Sequence, residues 1–243
     1  MAAFRRSFAA IFLLVTVALT GCQLLNSGGS SDDNASLIAR SADKLQEGAP
    51  YHFQAKTTLR ESASSQTPTL QIDTEGDVAS LKRARFALSS PQEPDFKLEV
   101  ILFDDAMFVR SAGEPWEELP ATQLGELGPS PLDTIAFLRA ITGSVEDKGA
   151  ESLEGVQTRR LTVALDSKAI SKQMEKLGRP IAAEAVKNGA IEVWLSQNDA
   201  LTHRALVTLD LSSPSGGASG KLELDTRSTN HGKSVDIQKP AVG

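Results

Sequence analysis

The one thiol of the chain lies directly behind an apolar run near the N-terminus. Cys22 is the only cysteine among the 243 residues, and the two residues before it, Thr20 and Gly21, are small. A lone cysteine in an exported chain has no disulfide partner, and a free thiol there is open to oxidation. Covalent use of its sulfur explains the single cysteine. The run Leu19-Thr20-Gly21-Cys22 is the pattern of a lipobox, which predicts diacylglycerol attachment to Cys22.

The residues before Cys22 have the layout of a lipoprotein signal peptide. Arg5 and Arg6 form a positive start, and the apolar run of residues 8–19 is too short to span a bilayer as a helix. We therefore expect residues 1–21 to be removed and two acyl chains on Cys22 to anchor the protein stably at the extracytoplasmic face of the cell membrane or outer membrane. An ordinary secretory signal or a short membrane anchor is the alternative, and Cys22 is then incidental.

The remainder of the chain is acidic overall, and its first residues are polar. Loss of residues 1–21 removes two arginines and no acid, so the net charge changes from −6 to −8. No Lys/Arg cluster follows, which argues against nucleic acid as a partner. Residues 22–36 are rich in Gly, Ser, Asp and Asn, and this composition predicts a flexible tether. Residues 37–243 are then expected to form a single domain.

Motifs for catalysis, cofactors and metals do not emerge from the sequence. The histidines His52, His203 and His231 lack metal-ligand spacing, and each is expected at the surface. No nucleophile elbow, phosphate loop or dinucleotide fingerprint is present. The Asp104-Asp105 pair lies between two strand-like segments, where Asp favours a turn. We therefore expect a protein that is not an enzyme and binds neither a cofactor nor a metal.

The periodicity of apolar residues predicts an α+β domain. Residues 37–48, 131–143 and 167–178 have helical spacing. Elsewhere apolar and polar residues alternate, which predicts about ten short antiparallel strands and a long sheet covered on one face by the helices. The strand-like segments are residues 51–60, 70–78, 86–88, 96–103, 107–111, 116–119, 145–153, 156–165, 191–195, 201–211, 221–227 and 235–237.

Large apolar side chains on these elements have two interpretations. They are ordinary core residues, or they line an apolar cavity that a strongly curved sheet leaves beneath its few helices. The candidate cavity residues are Phe53, Phe86, Leu98, Phe108, Phe137, Leu138, Ile141, Ile170, Met174 and Leu177.

Several short motifs resemble the LppX/LprG family of bacterial lipoproteins, which has a LolA-like fold. The segment 103–109 that leads to Trp116 is similar to the strand, turn and strand of that family, and residues 131–141 are similar to its first inserted helix. Further matches are residues 154–161, residues 191–195 with Trp194, and residues 235–240. The resemblance implies a half-barrel of antiparallel strands wrapped around helices, and a role in carrying acylated lipids, glycolipids or lipoproteins across the envelope.

Three functional hypotheses follow, of which the third, an enzyme of unknown type, has no catalytic residue that the sequence identifies. The first is a membrane-anchored carrier that shields acyl chains in an apolar cavity, with a lipid, a glycolipid or another acylated molecule as its ligand. The second is a non-enzymatic envelope sensor or protein-binding module, in which side chains of the protein fill the half-barrel. A cavity above ~300 Å³, the usual lower size of a ligand pocket, favours the first hypothesis.

Overall fold

The alternating segments form one antiparallel sheet of eleven strands among the described residues. The computed structural model describes residues 31–47, 50–61, 69–127, 133–176, 185–212 and 219–242. The expected signal peptide, Cys22 and the first part of the expected tether lie outside the described residues. The strands are β1 Tyr51–Glu61, β2 Thr69–Ser80, β3 Arg83–Ser89, β4 Lys97–Phe103, β5 Ala106–Ser111, β6 Glu117–Pro120, β7 Ile141–Leu153, β8 Val156–Leu165, β9 Val186–Ser196, β10 Thr202–Ser212 and β11 Ser219–Thr229.

The sheet consists of two meanders joined at its centre. Its spatial order is β6-β5-β4-β3-β2-β1-β11-β10-β9-β8-β7, so the chain runs outward from β1 to one edge, crosses over, and returns from the other edge. The two meanders join where β1 pairs with β11, for example Ala55 opposite Thr226. The edge strands β6 and β7 do not pair with each other. The expected curved half-barrel is confirmed.

The two hairpin turns expected from Asp and Gly are present. Asp104, between β4 and β5, has φ of 57°, and Glu154 and Gly155, between β7 and β8, have φ of 52° and 84°. Asp tolerates this left-handed region better than most residues, and Gly adopts it freely. The Asp104-Asp105 pair is therefore a turn, as predicted, because its backbone geometry reverses the chain.

Alternate residues divide the sheet into an inner face, which carries Tyr51, Phe53 and Ala55, and an outer face, which carries His52 and Gln54. Three helices, α1 Ser31–Gln46, α2 Asp133–Arg139 and α3 Ser167–Lys176, contribute to the same buried cluster as the inner face. Helix α1 contacts α2, β7 and β9, and α3 contacts α2 and β9. The helices therefore lie inside the curve of the sheet, over its C-terminal meander. A 3₁₀ helix, Ala121–Leu127, follows β6.

Helix α1 begins five residues before the expected N-cap Ser36, so residues 31–36 are helical rather than part of a tether. The reason is tertiary. Asn34 is 2% exposed, and its side chain donates a hydrogen bond to the Asp147 carboxylate on β7. A polar residue that composition assigns to a flexible segment thus gains a buried partner, and this contact stabilises the extra turn.

Two other segment predictions are wrong. Ile141 begins β7 instead of ending the preceding helix, which stops at Arg139. Residues 235–237 form no strand, although Ile237 is buried. The chain leaves β11 after Thr229, and β11 already pairs on both sides, with β1 and with β10. The segment after β11 instead lies against β5 and β6, where Lys239 Nζ is 5.1 Å from the Phe108 ring centroid and 3.4 Å from Glu118 Oε2.

No helix in the described part of the chain is long and apolar enough to span a bilayer.

Candidate functional site

A groove of about 440 Å³ lies between α1, α2, α3 and the start of β7. We call it the helix groove. Its lining includes the exposed Ala35 and Ala39 of α1 and the half-buried Ile141 of β7, with the nearly buried Ile38 and Leu138 beneath them, and the remaining lining residues are Ala42, Asp43, Arg139 and Gln173. Both Leu138 and Ile141 are among the cavity residues predicted from the sequence.

The groove exists because α1 has small residues on the side that faces α2. Ala35, Ala39 and Ala42 recur at intervals of four and three residues, which places them on one side of the helix. Next to them, Leu37, Ile38 and Leu45 are buried in the core. The large residues thus fix α1 to the sheet, and the alanines leave space between the helices.

The rim of the groove carries one ion pair. Arg139 Nη2 donates to Asp43 Oδ1 at 3.1 Å, and the two side chains are 40% and 64% exposed. Such an exposed pair contributes little to stability, because water solvates both partners well without it. The pair therefore leaves a guanidinium and a carboxylate available to the polar end of a ligand that enters the groove.

Two buried polar contacts hold α1 in place beside the groove. Ser41 and Thr202 share a hydroxyl–hydroxyl hydrogen bond of 2.5 Å between α1 and the start of β10. Near the beginning of α1, Asn34 bonds to Asp147, whose pKa is lowered chiefly by hydrogen bonds from the Arg159 guanidinium. Arg159 Nε donates to Asp147 Oδ2 at 2.8 Å. One wall of the groove is thus fixed at two points to different strands.

Helix α3 is seated on the sheet by a glycine. A Cβ on Gly189 of β9 would lie 2.9 Å from Leu209 Cδ2 and 3.2 Å from Ile170 Cδ1. Ile170 is the central buried residue of α3 and is fully buried. The missing side chain at Gly189 therefore provides the depression into which Ile170 packs.

The structure brings most of the predicted cavity residues together. Phe53, Phe86, Phe137, Leu138 and Ile170 belong to one buried cluster, and Leu98 and Ile141 are partly buried against it. The rings of Phe53 and Phe86 lie 6.1 Å apart. Gly76 of β2 lies between these two residues in the sheet. A Cβ on Gly76 would lie 2.5 Å from Phe86 Cβ, so only glycine leaves room for this ring contact. Leu177 lies outside the described residues, as does the side chain of Met174.

Phe108 lies on the other side of the sheet. Its neighbour Met107 belongs to the inner cluster and Phe108 does not, although both are fully buried. Successive strand residues point to opposite faces, and Lys239 Nζ of the C-terminal segment lies 5.1 Å from the Phe108 ring centroid. A pattern of buried aromatics cannot distinguish the two faces when a terminal segment covers the outer one.

Three residues of the helix groove, Ile38, Asp43 and Arg139, are not among the candidates predicted from the sequence. The alanine spacing of α1 was the available signal for Ile38. The sequence contains no local signal for the Asp43–Arg139 ion pair, because its partners are 96 residues apart.

The prediction of exposed histidines is wrong, because all three are half-buried. His203 and His231 are half-buried, and their rings pack edge to face at 5.0 Å. Burial lowers the pKa of both imidazoles below the ordinary value of 6.5. In the part of the chain that the structure describes, no group of three or more His, Cys, Asp or Glu side chains has the placement to hold a metal ion.

The chain matches no protein-family model and no curated protein sequence. Among solved structures, it is similar to LprF from Mycobacterium bovis, with a TM-score of 0.52 and 14% identity over 86% of this chain and 98% of that chain. The lipoprotein LppX from Mycobacterium tuberculosis aligns with a TM-score of 0.47 and 14% identity, over 86% of this chain and all of that chain (100%). The likeness to LprF confirms the predicted LppX/LprG-like fold.

A more remote alignment, with a LolA superfamily protein from Nitrosomonas europaea, has a TM-score of 0.33 and 11% identity, over 79% of this chain and 91% of that chain.

Proposed function

We propose that the protein is a membrane-anchored, non-enzymatic carrier of lipid or acylated molecules in the bacterial envelope. The observation that carries this proposal is the helix groove, about 440 Å³ in volume, whose accessible apolar lining includes Ala35, Ala39 and Ile141. This volume lies within the ~300 to 1,000 Å³ that is usual for ligand pockets. It also exceeds ~300 Å³, below which the space would be too small for a ligand.

The groove suits an acyl chain with a polar end. Burial of apolar area contributes about 25 cal/mol per Å² without directional contacts, so the alanine and isoleucine surfaces bind chains of different kinds. The polar end of the ligand then lies at the Asp43–Arg139 pair, where water and charged groups remain available. A carrier needs this combination, because it must hold the chain away from water and still release it.

The number of residues between Cys22 and α1 limits the distance between the groove and the expected anchor. Eight residues, 23–30, separate Cys22 from the start of α1 at Ser31. A chain of eight residues spans at most about 29 Å when fully extended. If Cys22 is acylated, the groove, which begins at Ala35, is therefore confined to the neighbourhood of the membrane surface from which a lipid is taken.

Filling the groove tests the carrier function. Ala39 lines the groove and is exposed, whereas the next residue, Arg40, is exposed on α1 but is not among the lining residues. We expect Ala39→Trp to reduce the amount of lipid that co-purifies with the full-length protein at least about tenfold. The reason is that the indole occupies the space that the acyl chain needs. Arg40→Trp is the matched control and should retain lipid at the level of the parent.

Native mass spectrometry after gentle extraction measures the bound lipid in all three proteins. A parent protein without lipid contradicts the carrier function. Equal lipid content in Ala39→Trp and the parent contradicts the assignment of the site to the helix groove.

The alternative function, an envelope sensor or protein-binding module, has one observation in its favour. Phe53, Phe86 and Ile170 are already buried by the protein itself, so the inner face of the sheet is largely filled. A lipid-free parent that pulls down a single envelope protein after cross-linking favours this alternative.

The lipid anchor has a separate test. Cys22→Ser removes the only thiol of the chain. The variant is expected to lose incorporation of a palmitate analogue and to remain unprocessed. Incorporation at the level of the parent contradicts acylation at Cys22, whatever the result for the groove.

A further inference from the structure

A second groove, also about 440 Å³, crosses the outer face of strands β1 to β5. We call it the outer-face groove. The small or apolar residues Gly76, Ala87 and Ile101 contribute to its lining, and polar side chains and Trp116 complete it. It shares no lining residue with the helix groove, so the carrier proposal does not explain it.

The polar side chains of this groove form two sets of paired charges. On β1 to β3, Arg85 Nη2 donates to Asp77 Oδ2 at 2.9 Å, and His52 Nδ1 lies 3.0 Å from Asp77 Oδ1. On β4 and β5, Arg110 Nε donates to Glu99 Oε2 at 2.7 Å. The guanidinium and carboxylate groups are thus held in fixed positions by one another.

An aromatic ring completes the outer-face groove. Trp116 is half-buried, and the guanidinium carbon of Arg110 lies 4.5 Å from its ring centroid. Arg110 also pairs with Glu99, so two contacts fix the guanidinium beside the ring. The indole is therefore a preorganised apolar surface within a groove of hydrogen-bonding groups.

This arrangement disfavours two classes of ligand. Three carboxylates, of Glu75, Asp77 and Glu99, face two guanidinium groups, of Arg85 and Arg110. With neutral histidine the lining is net negative, which disfavours an anion such as phosphate. An acyl chain is disfavoured because it would strip water from the ion pairs without replacing the lost hydrogen bonds.

We infer that the outer-face groove binds a neutral carbohydrate. A pyranose has an apolar face that packs on an indole and a rim of hydroxyl groups that both donate and accept hydrogen bonds. The fixed carboxylates accept from these hydroxyls, and the fixed guanidinium groups donate to them. Because both guanidinium groups already pair with a carboxylate, a neutral ligand gains these bonds without leaving either cation uncompensated.

Phe103 provides a matched control for Trp116. The guanidinium carbon of Arg83 lies 4.4 Å from its ring centroid, so an arginine covers an aromatic ring of β4 in the same way. Phe103 is half-buried and does not line the outer-face groove. Trp116→Ala and Phe103→Leu thus remove equivalent stacking contacts, but only the first changes the groove.

The test is a titration of the full-length protein, in a detergent without a sugar headgroup, with cellobiose, maltose and N,N′-diacetylchitobiose. Saturation-transfer NMR of the sugar measures Kd in each protein, and far-UV circular dichroism verifies the fold. We expect saturable binding of at least one sugar at millimolar concentrations, weakened at least about tenfold by Trp116→Ala and less than about twofold by Phe103→Leu.

Failure to bind any of the three sugars overturns the inference, as does equal weakening in both variants. Tighter binding of inorganic phosphate than of the sugars overturns it as well. A change in the parent's tryptophan fluorescence on addition of sugar supports it, since Trp194, the other tryptophan, is 3% exposed. None of these outcomes depends on lipid in the helix groove.

Discussion

The two faces of the sheet use the same strands for opposite chemistry. On the inner face, Val78 and Phe86 belong to a continuous apolar cluster. Their neighbours on the outer face, Asp77 and Arg85, form an ion pair at 2.9 Å. The inner face therefore contributes stability through buried area, and the outer face provides fixed hydrogen-bonding groups whose own contribution to stability is small. The inner face thus offers apolar area, and the outer face offers polar groups at defined positions.

The two tryptophans show the same contrast within the outer face. Trp194 is 3% exposed, lies between the guanidinium groups of Arg160 and Arg204, and donates from Nε1 to Glu151 Oε2 at 3.1 Å. Its ring and its N–H are both used by the protein. Trp116 is half-buried and has one arginine against it. Trp194 is thus a structural residue of the sheet, and Trp116 has surface left for a ligand.

The largest expected effect is on the inner face. Phe53→Ala should lower the free energy of unfolding by about 3 to 5 kcal/mol, because it removes a fully buried ring and its contact with Phe86. Urea unfolding followed by circular dichroism measures it. Phe103→Ala, on the half-buried outer face, is the control and should cost much less. Equal losses contradict the division of roles between the faces.

The packing of α3 on Gly189 is tested by a double-mutant cycle. Gly189→Ala should cost about 1 to 3 kcal/mol, because the new methyl group lies too close to Leu209 and Ile170. Ile170→Ala should lower the free energy of unfolding by about 2 to 5 kcal/mol, because the truncated side chain leaves a cavity. The double variant should lose less than the sum, since the truncated Ile170 leaves room for the new methyl group. Additive losses contradict direct packing of these two residues.

The half-buried histidine pair predicts a dependence on pH. Burial lowers the pKa of His203 and His231 in the folded state, so below about pH 6.5 the unfolded chain binds more protons than the folded chain. The contribution of the two histidines to the free energy of unfolding should be fully present above this pH. It should decrease as the pH falls towards their pKa values in the folded state. Urea unfolding at about pH 7.5 and about pH 5.5 measures the difference.

His203→Gln serves as the control, and its stability should change less over the same pH interval. Carboxylates do not mimic this effect. The pKa of Asp77 and that of Asp147 are lowered, so their contributions are lost only below the ordinary carboxyl value of 3.8. An unchanged pH profile in His203→Gln contradicts a role for that imidazole.

The smallest expected effect is at an exposed ion pair between two hairpin turns, of β2–β3 and β4–β5. Lys82 Nζ lies 3.0 Å from Asp105 Oδ1, and the two side chains are 68% and 90% exposed. Lys82→Ala should not change the midpoint of urea unfolding measurably, because water replaces the lost partner. A clear decrease in the midpoint contradicts the view that exposed ion pairs such as this one contribute little to stability.

The sequence determined the strands, the turns and most of the inner face. Period-two alternation predicted β1, and the turns at Asp104 and at Glu154-Gly155 followed from the conformations that these residues tolerate. The cluster that joins Phe53, Phe86 and Ile170 follows from the same patterns, because large apolar residues in regular elements must share a core. These are local properties, and each is encoded within a few residues.

Only the tertiary structure decided which faces meet and where space remains. Residues 31–36 are helical because Asn34 reaches Asp147, more than one hundred residues away in the chain. Phe108 is buried on the outer face by the C-terminal segment, and Asp43 meets Arg139 at the helix groove. In the outer-face groove, Trp116 of one turn and Asp77 of another strand line the same space. Such contacts join distant parts of the chain, and no local pattern of residue types specifies them.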